Sequence, residues 1–240
     1  MKELLKKIFL SKKISSSKDL KFQELKDKSE VNKIFDAINS YNNISEVRYV
    51  GGCVRKILNK ENTDDIDLAT NLTPDQVKVC LDNSKIKYFE TGLEHGTITA
   101  KIDNQNFEIT TLRKDVKTDG RHAIVEYTTS WEEDALRRDF TINSIYSDID
   151  GNLYDPNNGH KDLINGIIKF IGEPETRIKE DYLRIIRYLR FYSGYSNVDH
   201  ELNIIKIIKQ NIEGLGKVSK ERQFNELQKI IKLDLSLIHI

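Results

Sequence analysis

Apolar and polar residues follow several different patterns along the chain, and each pattern predicts a type of element. Alternating and β-branched stretches predict strands at 46–50, 65–70, 86–90, 97–102 and 106–112. Helices are predicted at 31–40, 53–58 and 74–83, the last with Thr73 as N-cap and Pro74 in its first turn. Residues 113–123 are polar and predict a loop, whereas 131–148 predict a helix.

The pattern changes after residue 160, where three further helices are predicted, at 175–194, 199–212 and 219–232. We therefore expect an α+β fold in which a mixed α/β region is followed by a helical region. The expected domains are an N-terminal lead-in (1–30), a mixed-sheet head (31–158) and a helical neck (159–240). The basic start of the chain could be an organelle transit segment, but Glu3 and Asp19 favour a helix and a flexible lead-in.

Composition narrows the function classes. The chain has 38 Lys+Arg and 38 Asp+Glu among its 240 residues, so its net charge is zero. A nucleic-acid binder is usually basic, so any such function must depend on the local distribution of charge. Two cysteines favour a reducing compartment such as the cytoplasm. No stretch of about 18 apolar residues occurs, which argues against contact with a membrane through a spanning helix.

Asp65 and Asp67 form the first candidate site, in "DDIDLAT". Residues two apart on a strand point to the same face, so both carboxylates project together. They repel each other unless a cation lies between them, and Mg²⁺ is usually held by one or two carboxylates and substrate phosphates. The alternative is a solvated acidic end of a strand.

The preceding "GGCVR" favours a phosphate site. Two glycines allow a ligand to approach the backbone, and the helix that follows offers free N–H groups to an anion. Arg55 lies one turn into that helix and can reach a phosphate. A phosphate-binding turn ten residues before a metal-binding pair is the layout of a nucleotidyltransferase.

These motifs resemble those of the class II tRNA nucleotidyltransferases, the CCA-adding enzymes, and of the related bacterial poly(A) polymerases. The resemblance spans about residues 45–230 and continues, in the family's order, through "TGLEHGTITAKI", "FEITTLRKD", "DGRHA", "EEDALRRDFTINSIYSD", "NGHKDLINGIIKFIG", "EDYLRIIRYLRF" and "SKERQFNEL". It implies a polymerase-β-like nucleotidyltransferase head, an all-helical neck, and Mg²⁺-dependent addition of CCA to the 3′ end of tRNA from CTP and ATP. Because the resemblance ends near residue 230, we expect only the family's head and neck domains here, without its body and tail.

The resemblance also implies roles for individual residues. Asp65 and Asp67 would be catalytic and hold the metal ions, and Gly52 and Arg55 would bind phosphate. Arg138 and Asp139 would contact the sugar and phosphates of the nucleotide, with Asp139 accepting from ribose hydroxyls. The remaining nucleotide-binding residues would be Asp181, Arg184, Arg187 and Arg190.

Residues 181–190 show why a protein could select bases. At about 100° per residue, Asp181 and the three arginines lie on one side of a helix, opposite the apolar residues. Such a stripe on its own is more often a solvated face. In the family it serves as a protein template, in which Asp181 and Arg184 bind the base and Arg187 and Arg190 support it. Because a carboxylate accepts from an exocyclic amine, it would favour C and A over U and G.

Several alternatives stay open at this point. Glu108 could be a third metal-facing carboxylate or a structural partner of Arg113. Lys56 replaces the aspartate that is usual after "VR". A loop of full length at 113–122 and "TGLEHGT" favour CCA addition over poly(A) synthesis. The chain ends at Ile240, and three explanations compete. A second polypeptide or a homodimer supplies the tail; the chain is a truncated, inactive nucleotide- or RNA-binding paralogue; or it is a reduced enzyme.

Overall fold

The computed structural model describes residues 18–63, 65–118 and 123–233. The expected transit segment or lead-in helix before residue 18, the tip of the loop at 119–122 and the apolar C-terminal end lie outside these residues, as does Asp64. The described chain forms two compact units. The first unit runs to Thr110 and includes Tyr146–Tyr154; the second comprises Thr111–Ile145 and the residues from Asp155 onward. These units cut across the head and neck ranges expected from the sequence, which stay a prediction.

The first unit is a seven-stranded sheet with helices. Its helices are α1 (Lys18–Lys26), α2 (Ser29–Asn39), α3 (Gly52–Leu58) and α4 (Pro74–Asn83). Its strands are β1 (Val47–Val50), β2 (Ile66–Thr70), β3 (Lys87–Gly92), β4 (Thr97–Ile102), β5 (Gln105–Thr111), β8 (Tyr146–Ser147) and β9 (Leu153–Tyr154). The strand order is β3-β4-β5-β2-β1-β8-β9. This α+β architecture is the predicted one.

Aromatic packing shows which face of the sheet the helices cover. The Tyr49 ring on β1 lies 6.0 Å from the Phe22 ring of α1 and 5.0 Å from the Phe35 ring of α2. Leu68 of β2 is directly opposite Tyr49, so it shares this helix face. Because side chains alternate along a strand, Asp67 lies on the other face, which we call the open face.

The same alternation holds at the other end of the sheet. Tyr88 contacts Asp82 of α4, and Glu90 lies 3.6 Å from Lys78 of α4. Helix α4 packs against α2, so Tyr88 and Glu90 are on the helix face. Lys87 and Phe89 therefore lie on the open face of β3.

Local signals in the sequence explain most elements of the first unit. Thr73 and Gln76 form a capping box at the start of α4, as the Thr-Pro pair predicts. The hairpin between β4 and β5 turns at Asp103, whose φ of 52° is in the left-handed region that Asp tolerates. The strands and helices predicted before residue 112 are therefore confirmed to within a few residues.

The second unit is a small hairpin with helices. Its strands are β6 (Arg113–Thr118) and β7 (Ala123–Tyr127), and its helices are α5 (Trp131–Arg137), α6 (Gly159–Ile164), α7 (Pro174–Glu180), α8 (Leu183–Tyr195), α9 (Leu202–Asn211) and α10 (Lys220–Ile231). Turns of 3₁₀ helix occur at Leu93–His95 in the first unit and at Thr141–Asn143 and Ile212–Lys217 in the second.

The loop predicted at 113–123 was wrong, because this segment forms most of the β6–β7 hairpin. Cross-strand pairing explains the difference. Lys114 is directly opposite Glu126, and the two charges approach to 3.3 Å. Opposite charges at such positions stabilise an antiparallel pair, even though the segment is polar.

The single helix predicted over 131–148 was also wrong. Helix α5 ends at Arg137, and Arg138 already has extended backbone. The chain then buries Phe140, which pairs with Phe170 and packs against the Phe191 ring at 5.4 Å. Tertiary packing of these apolar residues outweighs the local helix preference.

The helix predicted over 175–194 is broken at Asp181, which separates α7 from α8 and has φ −152° and ψ 104°. Its carboxylate accepts a hydrogen bond from the Leu183 N–H, an alternative to helical bonding that aspartate favours. The following Tyr182 ring fills the space beside Gly214, where a Cβ atom would overlap it.

Cys53 and Cys80 are buried free thiols. Among the described residues, none of the helices has the length and apolar character that crossing a membrane would require.

The buried hydroxyl of Tyr49 generates a stability prediction. Tyr49 is fully buried, and its hydroxyl oxygen has no hydrogen-bond partner in the part of the chain that is described. We expect Tyr49→Phe to raise the free energy of unfolding by up to about 1 kcal/mol, because it removes an unsatisfied polar group. Denaturation with urea measures the change.

Tyr188→Phe is the matched control, since Tyr188 is equally buried but its hydroxyl lies 3.1 Å from His200 Nδ1. This control is expected to lose stability. Equal losses in both variants would mean that the Tyr49 hydroxyl is satisfied.

Candidate functional site

The first cluster of predicted site residues surrounds the turn between β1 and α3. A Cβ atom added to Gly52 would lie 3.8 Å from Asp67 Oδ2 and 3.9 Å from Arg55 Nη2. The structure therefore brings Gly52, Arg55 and Asp67 together, as their predicted roles require. Arg55 is buried, with 6% of its surface exposed, so its charge lies in a partly desolvated setting.

The two glycines of this turn are subject to different structural constraints. Gly51 has φ 64° and ψ −120°, a conformation that a side chain disfavours strongly. Gly52 has no such constraint, and a Cβ there would make only ordinary contacts. Gly51 is thus required by the backbone, whereas Gly52 leaves open space beside Asp67 and Arg55.

Asp65 and Asp67 fit a hard divalent cation. Asp65 is exposed just before β2, and Asp67 is half-buried on the open face. Glu108 is exposed on β5, the strand next to β2. It is directly opposite Thr99 of β4, and Thr99 is two residues from Lys101, which is opposite Lys87. Glu108 therefore lies on the open face with Lys87 and Lys101. Within the described ranges no group of three or more His, Cys, Asp or Glu side chains could hold a metal by itself. Two carboxylates completed by substrate phosphates are the usual arrangement for Mg²⁺.

Cys53 lies beneath this cluster and is not a nucleophile. Burial, the largest cause, and the nearby Asp67 carboxylate together raise the pKa of its thiol to about 12, against the opposing effect of a hydrogen bond with Thr63. A thiol of this kind is protonated at neutral pH and unreactive.

In the second unit, Arg138 is held by Asp134. The Arg138 Nη2 atom lies 2.9 Å from Asp134 Oδ2, and Arg137 Nη2 lies 2.7 Å from Asp134 Oδ1. Arg177 of α7 donates to the backbone oxygens of both Arg137 and Arg138, at 2.6 and 2.8 Å. These contacts fix the segment that follows α5.

Asp139 is buried and bonded on both oxygens. Its Oδ1 accepts from the Phe140 N–H and from Asn143 Nδ2, each at 2.9 Å, and its Oδ2 lies 2.5 Å from Arg187 Nη2. Burial alone would raise the pKa of Asp139, but the Arg187 charge and these hydrogen bonds lower it to about 2. A ribose hydroxyl at Asp139 would have to share these lone pairs, and the predicted ribose contact stays a prediction.

Arg187 and Arg190 of α8 converge on one carboxylate. Glu226 of α10 is 4% exposed; its Oε1 lies 3.2 Å from Arg187 Nη1 and its Oε2 lies 2.6 Å from Arg190 Nε. Burial would raise the pKa of Glu226, but the two arginines lower it. The structure thus joins Asp139, Arg187, Glu226 and Arg190 into one chain of charges with two buried carboxylates, and Glu226 anchors both arginines.

Asp181 and Arg184, the predicted base-reading pair, are also held in place. Arg222 Nη2 of α10 lies 2.8 Å from Asp181 Oδ2. Arg184 Nη1 donates to Glu180 Oε2 and to the Arg177 backbone oxygen, each at 2.6 Å. Both side chains are half-buried, so they combine defined positions with access to solvent.

The sequence did not identify the residues that hold this second group: Asp134, Arg177, Glu180, Arg222 and Glu226. One signal was available for the last two. Arg222 and Glu226 are four apart in α10, so they share one helix face with polar character. Because α8 carries three arginines, this polar face of α10 could have been identified as a partner for α8 and not only as the end of the helical region.

The chain belongs to the family of the poly A polymerase head domain, whose model matches residues 47–169. Its α+β fold is that of a nucleotidyltransferase head.

The curated relatives are tRNA nucleotidyltransferases. The chain is 49% identical over 189 residues to "CCA tRNA nucleotidyltransferase 1, mitochondrial" of Homo sapiens, a match that covers 78% of this chain and 44% of the relative. It is 38% identical over 185 residues to the "CCA-adding enzyme" of Staphylococcus epidermidis, covering 76% of this chain and 45% of the relative. The chain thus spans about half the length of the curated relatives it matches.

Solved structures give the same result. The Bacillus stearothermophilus CCA-adding enzyme in complex with CTP aligns with a TM-score of 0.74 and 31% identity, over 88% of this chain and 48% of that one. A tRNA nucleotidyltransferase complexed with a primer tRNA and an incoming ATP analog aligns with a TM-score of 0.66 and 28% identity, over 81% of this chain and 56% of that one. The predicted family membership and fold are confirmed.

The low pKa of Asp139 predicts an acid-sensitive contribution to stability. A carboxylate whose pKa falls on folding stabilises the protein above its unfolded pKa of about 3.9, and this stability is lost as pH falls towards about 2. Asp139→Asn should lower the free energy of unfolding at pH 7 by about 2 kcal/mol and flatten its decrease between pH 5 and pH 2. Denaturant titrations across this range measure both effects.

Asp150→Asn is the control, because it removes an exposed carboxylate paired with Lys26. The control should keep the wild-type dependence on pH. If Asp139→Asn also kept it, the Asp139–Arg187 pair would contribute nothing to stability.

Proposed function

We propose that this chain is the catalytic part of an Mg²⁺-dependent RNA 3′-end nucleotidyltransferase that adds CCA to tRNA from CTP and ATP and releases pyrophosphate. The observation that carries the proposal is the grouping of Gly52 and Arg55 around Asp67, next to Asp65. The names of the relatives, CCA-adding enzymes from bacteria and vertebrates, support the choice of product.

The first unit would carry out the transfer. Asp65 and Asp67 would hold Mg²⁺, which when bound activates an attacking hydroxyl and stabilises charge on the leaving phosphates. Arg55 would bind a phosphate of the nucleotide triphosphate, with Gly52 providing the space. Because Arg55 is buried, its charge would interact with that phosphate more strongly than an exposed arginine could. Glu108 would support the metal site from β5.

The second unit would select the base. The Asp181 carboxylate would accept a hydrogen bond from the exocyclic amine of cytosine or adenine, and the oxygen of uracil or guanine at that position would be repelled. Arg184 would donate to a ring nitrogen or carbonyl. Arg138, Asp139, Arg187 and Arg190 would support the sugar, phosphates and base. Arg222 and Glu180 keep the two reading side chains ordered before a nucleotide binds, which lowers the entropic cost of binding.

The second candidate is poly(A) synthesis, because the family model carries that description. The two activities differ in product. A CCA-adding enzyme stops after three nucleotides and requires both CTP and ATP, whereas a poly(A) polymerase extends the RNA with ATP alone.

The proposal also includes the RNA partner and the cellular compartment. The 3′ end of tRNA would be the acceptor. A cytoplasmic location is proposed from the two free thiols, although two of the relatives are named mitochondrial.

An incorporation assay tests the proposal. The purified chain, Mg²⁺ and a tRNA transcript without its 3′ CCA are incubated with each nucleotide alone and with all four, and the products are sized. Addition that stops at three nucleotides is expected. Asp65→Asn with Asp67→Asn should lower the rate at least about 100-fold, because the metal ligands are lost.

Asp75→Asn is the control for that variant, since Asp75 is an exposed carboxylate of α4 paired with Lys78. Long tails made from ATP alone would favour poly(A) synthesis. Wild-type activity in the double Asn variant would show that Asp65 and Asp67 do not hold the metal.

Selection of the base is tested separately at Asp181. Asp181→Ala should reduce the preference for CTP over UTP by about 10- to 100-fold, because one hydrogen-bonded contact to a base edge is worth roughly 1–3 kcal/mol. Values of kcat/KM for each nucleotide measure the preference. Lys220→Ala, an exposed change on the neighbouring α10, is the control. An unchanged preference in Asp181→Ala would refute base reading by Asp181.

A further inference from the structure

Two lysines face each other on the open face of the sheet. Lys87 of β3 and Lys101 of β4 are directly opposite partners in the antiparallel pair, and both are exposed. Like charges at such positions destabilise a sheet. Across the described ranges, no salt bridge joins either ammonium group to a carboxylate, whereas Lys26 and Lys78 in the same unit are both paired. The pair therefore repels unless an anion binds between its members.

A groove of about 810 Å³ extends from this pair around the edge of the sheet. Its charged side chains are four lysines and one carboxylate: Lys33, Lys85, Lys87, Lys101 and Asp103. Phe89, two residues after Lys87 on the same face of β3, also lines it and keeps 49% of its surface exposed. An exposed aromatic ring beside unpaired lysines is the combination that binds single-stranded nucleic acid, by stacking and by phosphate contacts.

The position of the pair links it to the candidate metal site. Asp67 of β2 and Glu108 of β5 are on the same open face, and the strands follow in the order β3-β4-β5-β2. Three strand spacings separate β2 from β3, about 14 Å in the direction across the sheet. The charge on the open face therefore changes from negative, at the carboxylates of β2 and β5, to positive, at the lysines of β4 and β3.

We propose that the RNA strand bound by this protein runs across the open face of the first unit, from Asp65 and Asp67 at its 3′ end to Lys87 and Lys101. This inference rests on the proposed function. The two lysines bind a backbone phosphate, which removes their mutual repulsion, and Phe89 stacks on a base upstream of the 3′ end. Lys33 and Lys85 extend the positive potential along the groove. Such contacts are independent of sequence, which suits an enzyme that accepts many RNAs.

The test compares neutral variants in a binding assay. Lys87→Gln with Lys101→Gln removes two charges, and Lys26→Gln with Lys78→Gln removes two charges that are already paired. The Kd for fluorescein-labelled tRNA without its 3′ CCA is measured by anisotropy at several salt concentrations. The first variant should bind about 10-fold more weakly, and its slope of log Kd against log salt should fall by about 0.7, because the contact with one phosphate of a single strand is lost. The control should keep the wild-type slope.

Phe89→Ala separates stacking from charge. It should weaken binding about 10-fold with an unchanged salt slope. Thermal denaturation of the Lys87/Lys101 variant is expected at or above the wild-type temperature, because a repulsive pair is removed. The KM for CTP should not change in any of these variants.

The outcomes separate the two proposals. A wild-type salt slope in the Lys87/Lys101 variant would overturn the proposed track, as would an equal loss of affinity for a blunt RNA duplex without a single-stranded 3′ end. If wild-type protein added no nucleotide to any RNA, but the Lys87/Lys101 variant still lost affinity and salt dependence, the proposed function would fail and the RNA-binding face would stand.

Discussion

The Arg187 guanidinium, shared between two buried carboxylates, is the interaction on which the second unit depends most. Asp139 belongs to the segment after α5, Glu226 belongs to α10, and Arg187 lies on α8 between them. A buried ion pair is not strong evidence for stability, because desolvation offsets much of the attraction. Its main effect here is geometric: breaking it would leave an uncompensated buried charge, which favours the one arrangement of three distant segments that keeps both contacts.

Much of the fold was predictable because its signals are local. The Thr73–Pro74 start of α4 and the alternation in β2 depend on a few neighbouring residues. The failures share one physical cause, which is long-range packing. Helix α5 stops at Arg137 because Phe140 packs against Phe170 and Phe191, residues that no window around 131–148 contains.

The residues of the candidate site also fall into two groups, those with a local sequence signal and those that depend on long-range packing. Asp65, Asp67 and Gly52 could be proposed from short motifs, because these residues lie within 16 positions of one another in the sequence. Glu226 could not be assigned in this way, because its function depends on α10 packing against α8, thirty or more residues away. The helical wheel of 181–190 found the arginines but missed the break at Asp181, since the competing hydrogen bond to Leu183 is a matter of backbone geometry.

Substitutions at the adjacent residues Gly51 and Gly52 are expected to affect different properties of the protein. Changes at Gly51 alter φ and ψ preferences and would reduce the amount of folded protein in the cell. Changes at Gly52 add atoms beside Asp67 and Arg55 and, under the proposed function, would reduce turnover while leaving abundance intact. The two adjacent glycines are therefore subject to different constraints: the backbone conformation at Gly51 and, under the proposed function, the space for a phosphate at Gly52.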